Sequence, residues 1–190
     1  MAFRRQVQPS VRNGGGFGHD RGTYSRHCLA DAERCRVSAP VTALSIARRF
    51  IGMEEVPGVA SNPAILAMLR LDNKWPAGDE VAWCSAFVSY IAWLLDLPRS
   101  KSLAARSWLP IGWSIDIAGA EPGFDVVVLK RGGGNQPGPE VTIGAPGHVG
   151  FFAGRRVDDK RVLVLAGNQG DSVSIESFPL AQVLGIRRLA

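Results

Sequence analysis

The stretch VAWCSAFVSYIAWLLDLP, residues 81–98, decides the fold of this 190-residue chain. Its apolar residues follow one another too densely for a half-exposed helix, so it predicts a helix that is largely buried and ends before Pro98. Cys84 lies in the first turn of this helix, where unpaired N–H groups and the helix dipole favour a thiolate. The alternative is an unreactive core thiol, because free cysteine is among the most buried residues.

Shorter helical patterns surround this segment, and strand patterns follow it. Apolar spacing predicts a helix over residues 42–52, Asn62 and Pro63 predict the start of a helix that runs to Arg70, and a short helix is expected over 104–108. β-branched and alternating runs predict strands over residues 124–130, 148–154, 161–168, 171–178 and 183–189. Helices first and strands afterwards indicate an α+β fold, with N-terminal helices packed on a small antiparallel β-sheet.

Composition and charge separate a tail from a body. The chain is 46% hydrophobic and 21% charged, which is typical of a globular domain. Residues 1–40 carry seven Arg against three acidic side chains, whereas residues 41–190 carry 15 basic and 14 acidic ones. The Gly- and Arg-containing tail is expected to be disordered and residues 41–190 to form the domain. No basic face indicates a specific nucleic-acid partner, and no apolar run is long enough to insert into a membrane.

The remaining cysteines and the N-terminus suggest no special chemistry. Cys28 and Cys35 lie in the tail, without the spacing of a zinc site, and three cysteines do not make a disulfide framework. The segment MAFRRQVQPSVRNGGG has basic residues but no apolar region behind them, so we expect synthesis in the cytoplasm without a signal peptide.

His148 is the one histidine outside the tail, and it begins the strand HVGFFAG after the Pro146-Gly147 bend. On a pleated strand it shares a face with Gly150, which leaves room for the Cys84 helix to approach. A cysteine nucleophile needs such a base, first to take its proton and then to protonate the leaving amine. The alternative is a histidine on the surface of a strand.

A third polar group is expected to orient the imidazole. Asn168 ends the strand RVLVLAGN, which would pair with the strand of His148, so its amide oxygen is the first candidate. Asp171, beyond Gly170, is the second candidate, and an asparagine that serves only a turn is the alternative reading.

Four strings in order, WCSAFVSYIAW, FDVVVLKRG, GHVGFFAG and VLVLAGNQGDSVSI, resemble the CHAP and NlpC-type papain-like peptidoglycan hydrolases, in particular their phage and prophage endolysin branch. The resemblance covers about residues 41–190. It implies a papain-like fold with nucleophile Cys84, base His148 and an orienting residue at Asn168. Ala166 stands where many CHAP enzymes carry an acidic residue, and the loop over 132–147 is longer than the family requires.

The resemblance implies hydrolysis of an amide bond in bacterial peptidoglycan, by an endopeptidase or an N-acetylmuramoyl-L-alanine amidase. Such an enzyme needs no metal or cofactor, works as a monomer and acts on the wall after release or export. The alternatives are a non-catalytic cell-wall-binding or phage-structural module of the same fold, and a Cys–His acyltransferase.

Three further residues are predicted to bind substrate. Glu54 belongs to a segment, IGMEEVPG, that is similar to a Glu-x-x-Gly segment of the same family, and its carboxylate would bind an amino group of a stem peptide. Trp83 would line a groove for sugar or peptide, and the small Ser85 would leave room beside the thiol. A solvated loop for Glu54 and a packed core for Trp83 are the alternatives.

Overall fold

The helices come first in the part of the chain that the structure describes. This computed structural model describes residues 40–58, 60–156, 158 and 160–190, so the predicted tail with Cys28 and Cys35 lies outside the described residues. Helix α1 spans Ala43–Ala47 and continues as a 3₁₀ turn over Arg48–Phe50, α2 spans Pro63–Arg70, and α3 spans Cys84–Leu94. The short helix expected over 104–108 is a 3₁₀ turn, Ala105–Trp108.

The helix starts follow from their caps. Thr42 and Ser45 form a reciprocal capping box at α1. The side chain of Asn62 accepts the N–H of Ala64, and Pro63 occupies the first turn of α2, as the sequence predicts. Each cap satisfies N–H groups that a helix leaves without internal partners.

The sheet has six antiparallel strands in the order β1-β6-β2-β3-β4-β5. The strands are β1 (Trp113–Ile115), β2 (Asp125–Lys130), β3 (Gly147–Arg156), β4 (Arg161–Gln169), β5 (Ser172–Pro179) and β6 (Val183–Arg188). Five of them match the predicted runs to within two residues. β1 was not predicted, because three residues are too few to show an alternation.

The sheet buries both of its faces, but only one of them lies under the helices. Val149, Phe151 and Leu165 point to the helix side and pack with Phe87 of α3. The residues that alternate with them point to the opposite face of the sheet and form a second apolar cluster, which includes Leu129 and Ala166. Helices packed on a small antiparallel sheet confirm the predicted α+β class. None of the described helices is long and apolar enough to cross a membrane.

Gly167 of β4 determines how closely α3 approaches the sheet. A Cβ atom at this position would overlap the indole ring of Trp83 and lie 3.1 Å from the Cβ of Phe87. Trp83, the residue that precedes α3, is completely buried. The absence of a side chain at Gly167 therefore lets the start of α3 rest on the backbone of β4.

We expect Gly167→Ala to destabilise the protein by about 2 kcal/mol, because overpacking a tight core forces an aromatic ring and a helix to shift. Urea unfolding followed by tryptophan fluorescence measures the change. Gly133→Ala is the matched control, since no atom lies within 4 Å of a Cβ built there. Equal stability of the two variants would show that the contact between Trp83 and Gly167 is not tight in solution.

Candidate active site

Cys84 is the first residue of α3, and its side chain is 2% exposed. The backbone N–H of Val149, the residue that directly follows His148, lies near enough to the sulfur to lower its pKa. The N–H groups of Ser85 and of Cys84 itself also face the sulfur. The thiol therefore lies near the backbone at the end of β3 that carries the histidine.

The N–H of Val149 can approach the sulfur because β3 and β4 are not paired at this residue. The two strands pair from Phe151↔Leu165 to Arg156↔Arg161, but the pairing does not extend back to Val149. The N–H of Val149 is consequently available to the sulfur of Cys84. Gly150 was expected to make room for the helix, but the atoms nearest to a Cβ there belong to Val164, Leu165 and Ala166 of β4. The glycine that admits the helix is Gly167.

Burial changes the protonation state that the helix start was expected to favour. Burial raises the pKa of the Cys84 thiol above its ordinary value. The N–H of Val149, the charge of Arg131 and the N–H groups at the helix start lower this pKa, but burial outweighs them. At neutral pH Cys84 is therefore a neutral thiol, which corrects the expectation of a resting thiolate.

His148 is 4% exposed, so it is not the surface histidine of the alternative reading. Its Nε2 lies 3.0 Å from Oε1 of Gln169. The amide nitrogen of Gln169 donates to the carbonyl oxygen of Ser174 at 2.8 Å, which fixes the orientation of the amide. Nε2 of His148 therefore carries the proton and donates to Gln169, which leaves Nδ1 as the basic nitrogen.

The pKa of His148 is lowered to about 4, mainly because burial disfavours the imidazolium. The hydrogen bond that His148 donates to Gln169 raises this pKa, and the nearby charge of Arg131 lowers it further. His148 is thus neutral at pH 7 and able to accept a proton.

The expected contact between Asn168 and His148 is absent, and Gln169 takes this position. Continuing the register of Phe151↔Leu165 would place Asn168 directly opposite His148. A β-bulge between Ala166 and Gln169 inserts one residue and exchanges the two side chains. Asn168 occupies the left-handed region at φ 60°, which asparagine tolerates better than most residues. Gly167 and Asn168 are both residue types that tolerate the left-handed region, and this pair was the one sequence signal that could have indicated a bulge.

Asn168 instead joins a chain of polar contacts beside the thiol. Its Nδ2 donates to Oε1 of Glu55 at 3.1 Å, and its Oδ1 accepts Nη1 of Arg131 at 3.3 Å. The same carboxylate oxygen of Glu55 accepts the indole N–H of Trp83 at 2.6 Å. The second candidate, Asp171, contacts this chain through its backbone, because its carbonyl oxygen accepts the N–H of Glu55.

Two of the three predicted substrate-binding residues do not reach the surface. Trp83 and Ser85 are both completely buried, and Ser85 bridges the carbonyl oxygen of Ser102 and the indole N–H of Trp108. Their assignment to substrate binding is corrected: both belong to the core. Glu54 is exposed and forms a backbone bridge with Ser172, while its neighbour Glu55 lies against the site.

Arg106, which the sequence analysis did not single out, holds the loop that leads to His148. It is 1% exposed, and it donates from Nε to the carbonyl oxygen of Pro146 at 2.8 Å. Its Nη1 donates to the carbonyl oxygens of Pro137 and Gly138. The long loop over 132–147 is thus anchored by one buried guanidinium. No pattern in the sequence marks an arginine that binds backbone carbonyls.

Two cavities flank the site. One, of about 590 Å³, has four acidic side chains in its lining: Glu55, Asp79, Glu80 and Asp171. The other, of about 260 Å³, is lined by His148 and Gln169 together with the basic Lys130 and Arg131 and the acidic Glu176. Within the described ranges, no group of three or more His, Cys, Asp or Glu side chains could hold a metal ion.

Asp79 belongs to the acidic cavity and stays ionised. Burial raises its pKa, but the backbone N–H groups of Asn62 and Val56 outweigh burial and hold the pKa below the ordinary value. Asp79 therefore contributes a negative charge to the cavity at neutral pH.

Comparison with known proteins gives one distant structural likeness. No family model matches the sequence, and no curated protein matches it significantly. Among solved structures, the chain is similar to NlpC1 from Trichomonas vaginalis, at 17% identity and a TM-score of 0.47. The alignment covers 80% of this chain and 46% of that one. A likeness at this level does not indicate an activity.

The lowered pKa of His148 predicts a loss of stability in acid. Between pH 6.5, the ordinary pKa, and about 4, the folded pKa, the unfolded chain binds a proton that the folded protein does not. His148 therefore makes stability fall as the pH falls through this window, by about 2–3 kcal/mol between pH 7 and 4.5.

Urea unfolding of the wild type and of His148→Asn at both pH values isolates this contribution from that of the carboxylates. The wild type is expected to lose about 2–3 kcal/mol more than the variant over this interval. The same loss in both proteins would show that His148 is not held neutral in the fold.

Proposed function

We propose that the chain is a cysteine hydrolase that cleaves an amide bond of bacterial peptidoglycan, with Cys84 as nucleophile, His148 as general base and acid, and Gln169 as the residue that orients the imidazole. The observation that carries the proposal is that the Cys84 sulfur lies near the N–H next to His148, while Nε2 of the same histidine is held by Gln169. The backbone next to the base thus lies near the nucleophile, and the orienting residue holds the base, which supports these three roles.

In the first half of the reaction, the sulfur of Cys84 bonds to the carbonyl carbon and its proton passes to Nδ1 of His148. The negative charge that develops on the carbonyl oxygen is stabilised by backbone N–H at the start of α3, with that of Cys84 as the first donor. The C–N bond then breaks, and the proton on Nδ1 goes to the departing amine. The product is a thioester on Cys84.

In the second half, His148 takes a proton from a water molecule as its oxygen attacks the thioester. The C–S bond breaks, the proton returns to the sulfur, and the acid product leaves. Gln169 accepts the hydrogen bond from Nε2–H throughout, so the same nitrogen, Nδ1, faces the reaction in both halves. The mechanism uses no metal or cofactor.

The choice of peptidoglycan rests on the sequence resemblance and agrees with the charges around the site. Glu55, which lines the acidic cavity, takes over the role first assigned to Glu54, that of placing a carboxylate where it attracts a substrate amino group. The CHAP and endolysin affiliation, a monomeric state and action on the wall after release or export stay predictions. Digestion of purified peptidoglycan, with mass spectrometry of the new termini, identifies the bond.

Cys84→Ala is expected to lower the rate of cell-wall clearing by at least about 10³-fold while the protein stays folded, because the nucleophile is lost and only a small buried group is removed. Turbidity of a cell-wall suspension measures the rate. The control is Ser89→Ala, which alters another small buried residue of α3. Clearing by Cys84→Ala at the rate of the control would exclude the mechanism.

The two alternatives give different results with the same proteins. A binding module would sediment with cell walls without releasing fragments, and alkylation of Cys84 with iodoacetamide would leave this binding unchanged. An acyltransferase would release products whose acyl group is joined to an added amine rather than to water. Alkylation is expected to be slow at neutral pH, because burial raises the pKa of the thiol and hides the sulfur.

Gln169→Ala is expected to lower kcat by about 10–100-fold without abolishing turnover. The imidazole would still act as the base, but it would no longer be held in one orientation. Gln182→Ala is the matched control, because Gln182 lines the same cavity and has no hydrogen bond to His148. In Gln169→Glu, the introduced carboxylate should move the acid limb of the pH profile to higher pH by stabilising the imidazolium. A larger loss in Asn168→Ala than in Gln169→Ala would return the orienting role to Asn168.

A further inference from the structure

The cavity beside His148 has an excess of positive charge. Lys130 and Arg131 face it together with a single carboxylate, that of Glu176. His148 is neutral at pH 7, so it does not add to this charge. The acidic cavity on the other side of the site has the opposite character, and the bond between Asn168 and Glu55 joins the two linings.

Arg131 is held in this cavity with most of its donors unused. It directly follows β2, whose last residue, Lys130, pairs with Gly147 next to the histidine. Its Nη1 donates to Oδ1 of Asn168 at 3.3 Å, and its side chain makes no ion pair with the described residues. A guanidinium has five N–H donors in a flat fork that fits a carboxylate with two parallel hydrogen bonds. The remaining donors are available to a ligand.

The charge of Arg131 reaches both reacting groups. It lowers the pKa of the Cys84 thiol and also that of His148. The cation consequently stands within electrostatic range of the sulfur and of the imidazole.

We propose that Arg131 binds a carboxylate on the leaving half of the substrate, next to the bond that is cut, and thereby selects substrates in which the released amine carries a free carboxylate. This inference rests on the proposed function. His148 must protonate the departing amine, so the leaving half lies on the imidazole side, where the cavity is lined by Arg131. Lys130 adds positive charge, and Asn168, tied to Glu55, keeps the guanidinium in place.

The test uses the full chain and two peptides that contain the bond identified in the peptidoglycan digest. They differ only at the leaving residue, which carries a carboxylate in one peptide and a carboxamide in the other. We expect the wild type to favour the carboxylate peptide by about 10–100-fold in kcat/KM, as for one charge-assisted pair of hydrogen bonds. In Arg131→Gln the ratio should fall to near one, chiefly through KM, and Arg131→Lys should restore part of it.

Arg49→Gln is the matched control, because Arg49 is exposed in the 3₁₀ turn after α1 and lines neither cavity beside the site. This control should keep the ratio of the wild type. A wild type that cleaves both peptides equally, or an Arg131→Gln variant that keeps the preference, would overturn the carboxylate assignment and leave the hydrolase proposal intact. Failure of the wild type to cleave either peptide or peptidoglycan would overturn both.

Discussion

The contact of the Trp83 indole with the backbone of β4 at Gly167 is the constraint on which the rest of the site depends. The ring occupies the space that a side chain at Gly167 would fill, and its N–H is bound by Glu55. Because Trp83 immediately precedes α3, fixing its ring fixes the start of the helix and with it the height of Cys84 above the sheet. A bulkier residue at 167 would move the thiol away from the N–H of Val149.

The same short segment of β4 meets a second requirement. The bulge between Ala166 and Gln169 adds a residue, so Asn168 turns toward Glu55 on the helix side while Gln169 turns toward His148. One irregularity thus supplies a partner for the carboxylate that holds Trp83 and a partner for the imidazole. Bulges next to active sites commonly re-aim a side chain in this way.

The sequence was sufficient for features that depend on local pattern. Dense apolar residues around Cys84, the Asn62-Pro63 cap and the β-branched or alternating runs of β2 to β6 predicted these elements and their order. The exchange of Asn168 for Gln169 was not predictable from alternation, because a single inserted residue reverses which side chain faces which way. The roles of Trp83, Ser85 and Arg106 depend on contacts between residues far apart in sequence, and no local pattern records those contacts.

The shifted pKa values determine the order of events in the proposed reaction. Burial raises the pKa of the thiol and lowers that of the imidazole to about 4, so both shifts favour the neutral pair and oppose a standing thiolate–imidazolium pair. The proton therefore stays on sulfur until a carbonyl carbon is in place, and its transfer accompanies the attack. The N–H of Val149 and the charge of Arg131 stabilise negative charge on the sulfur, while Gln169 stabilises positive charge on the imidazole. Each of these three interactions is strongest when sulfur is negative and the imidazole is positive. This charge separation occurs in the transition state rather than in the resting enzyme.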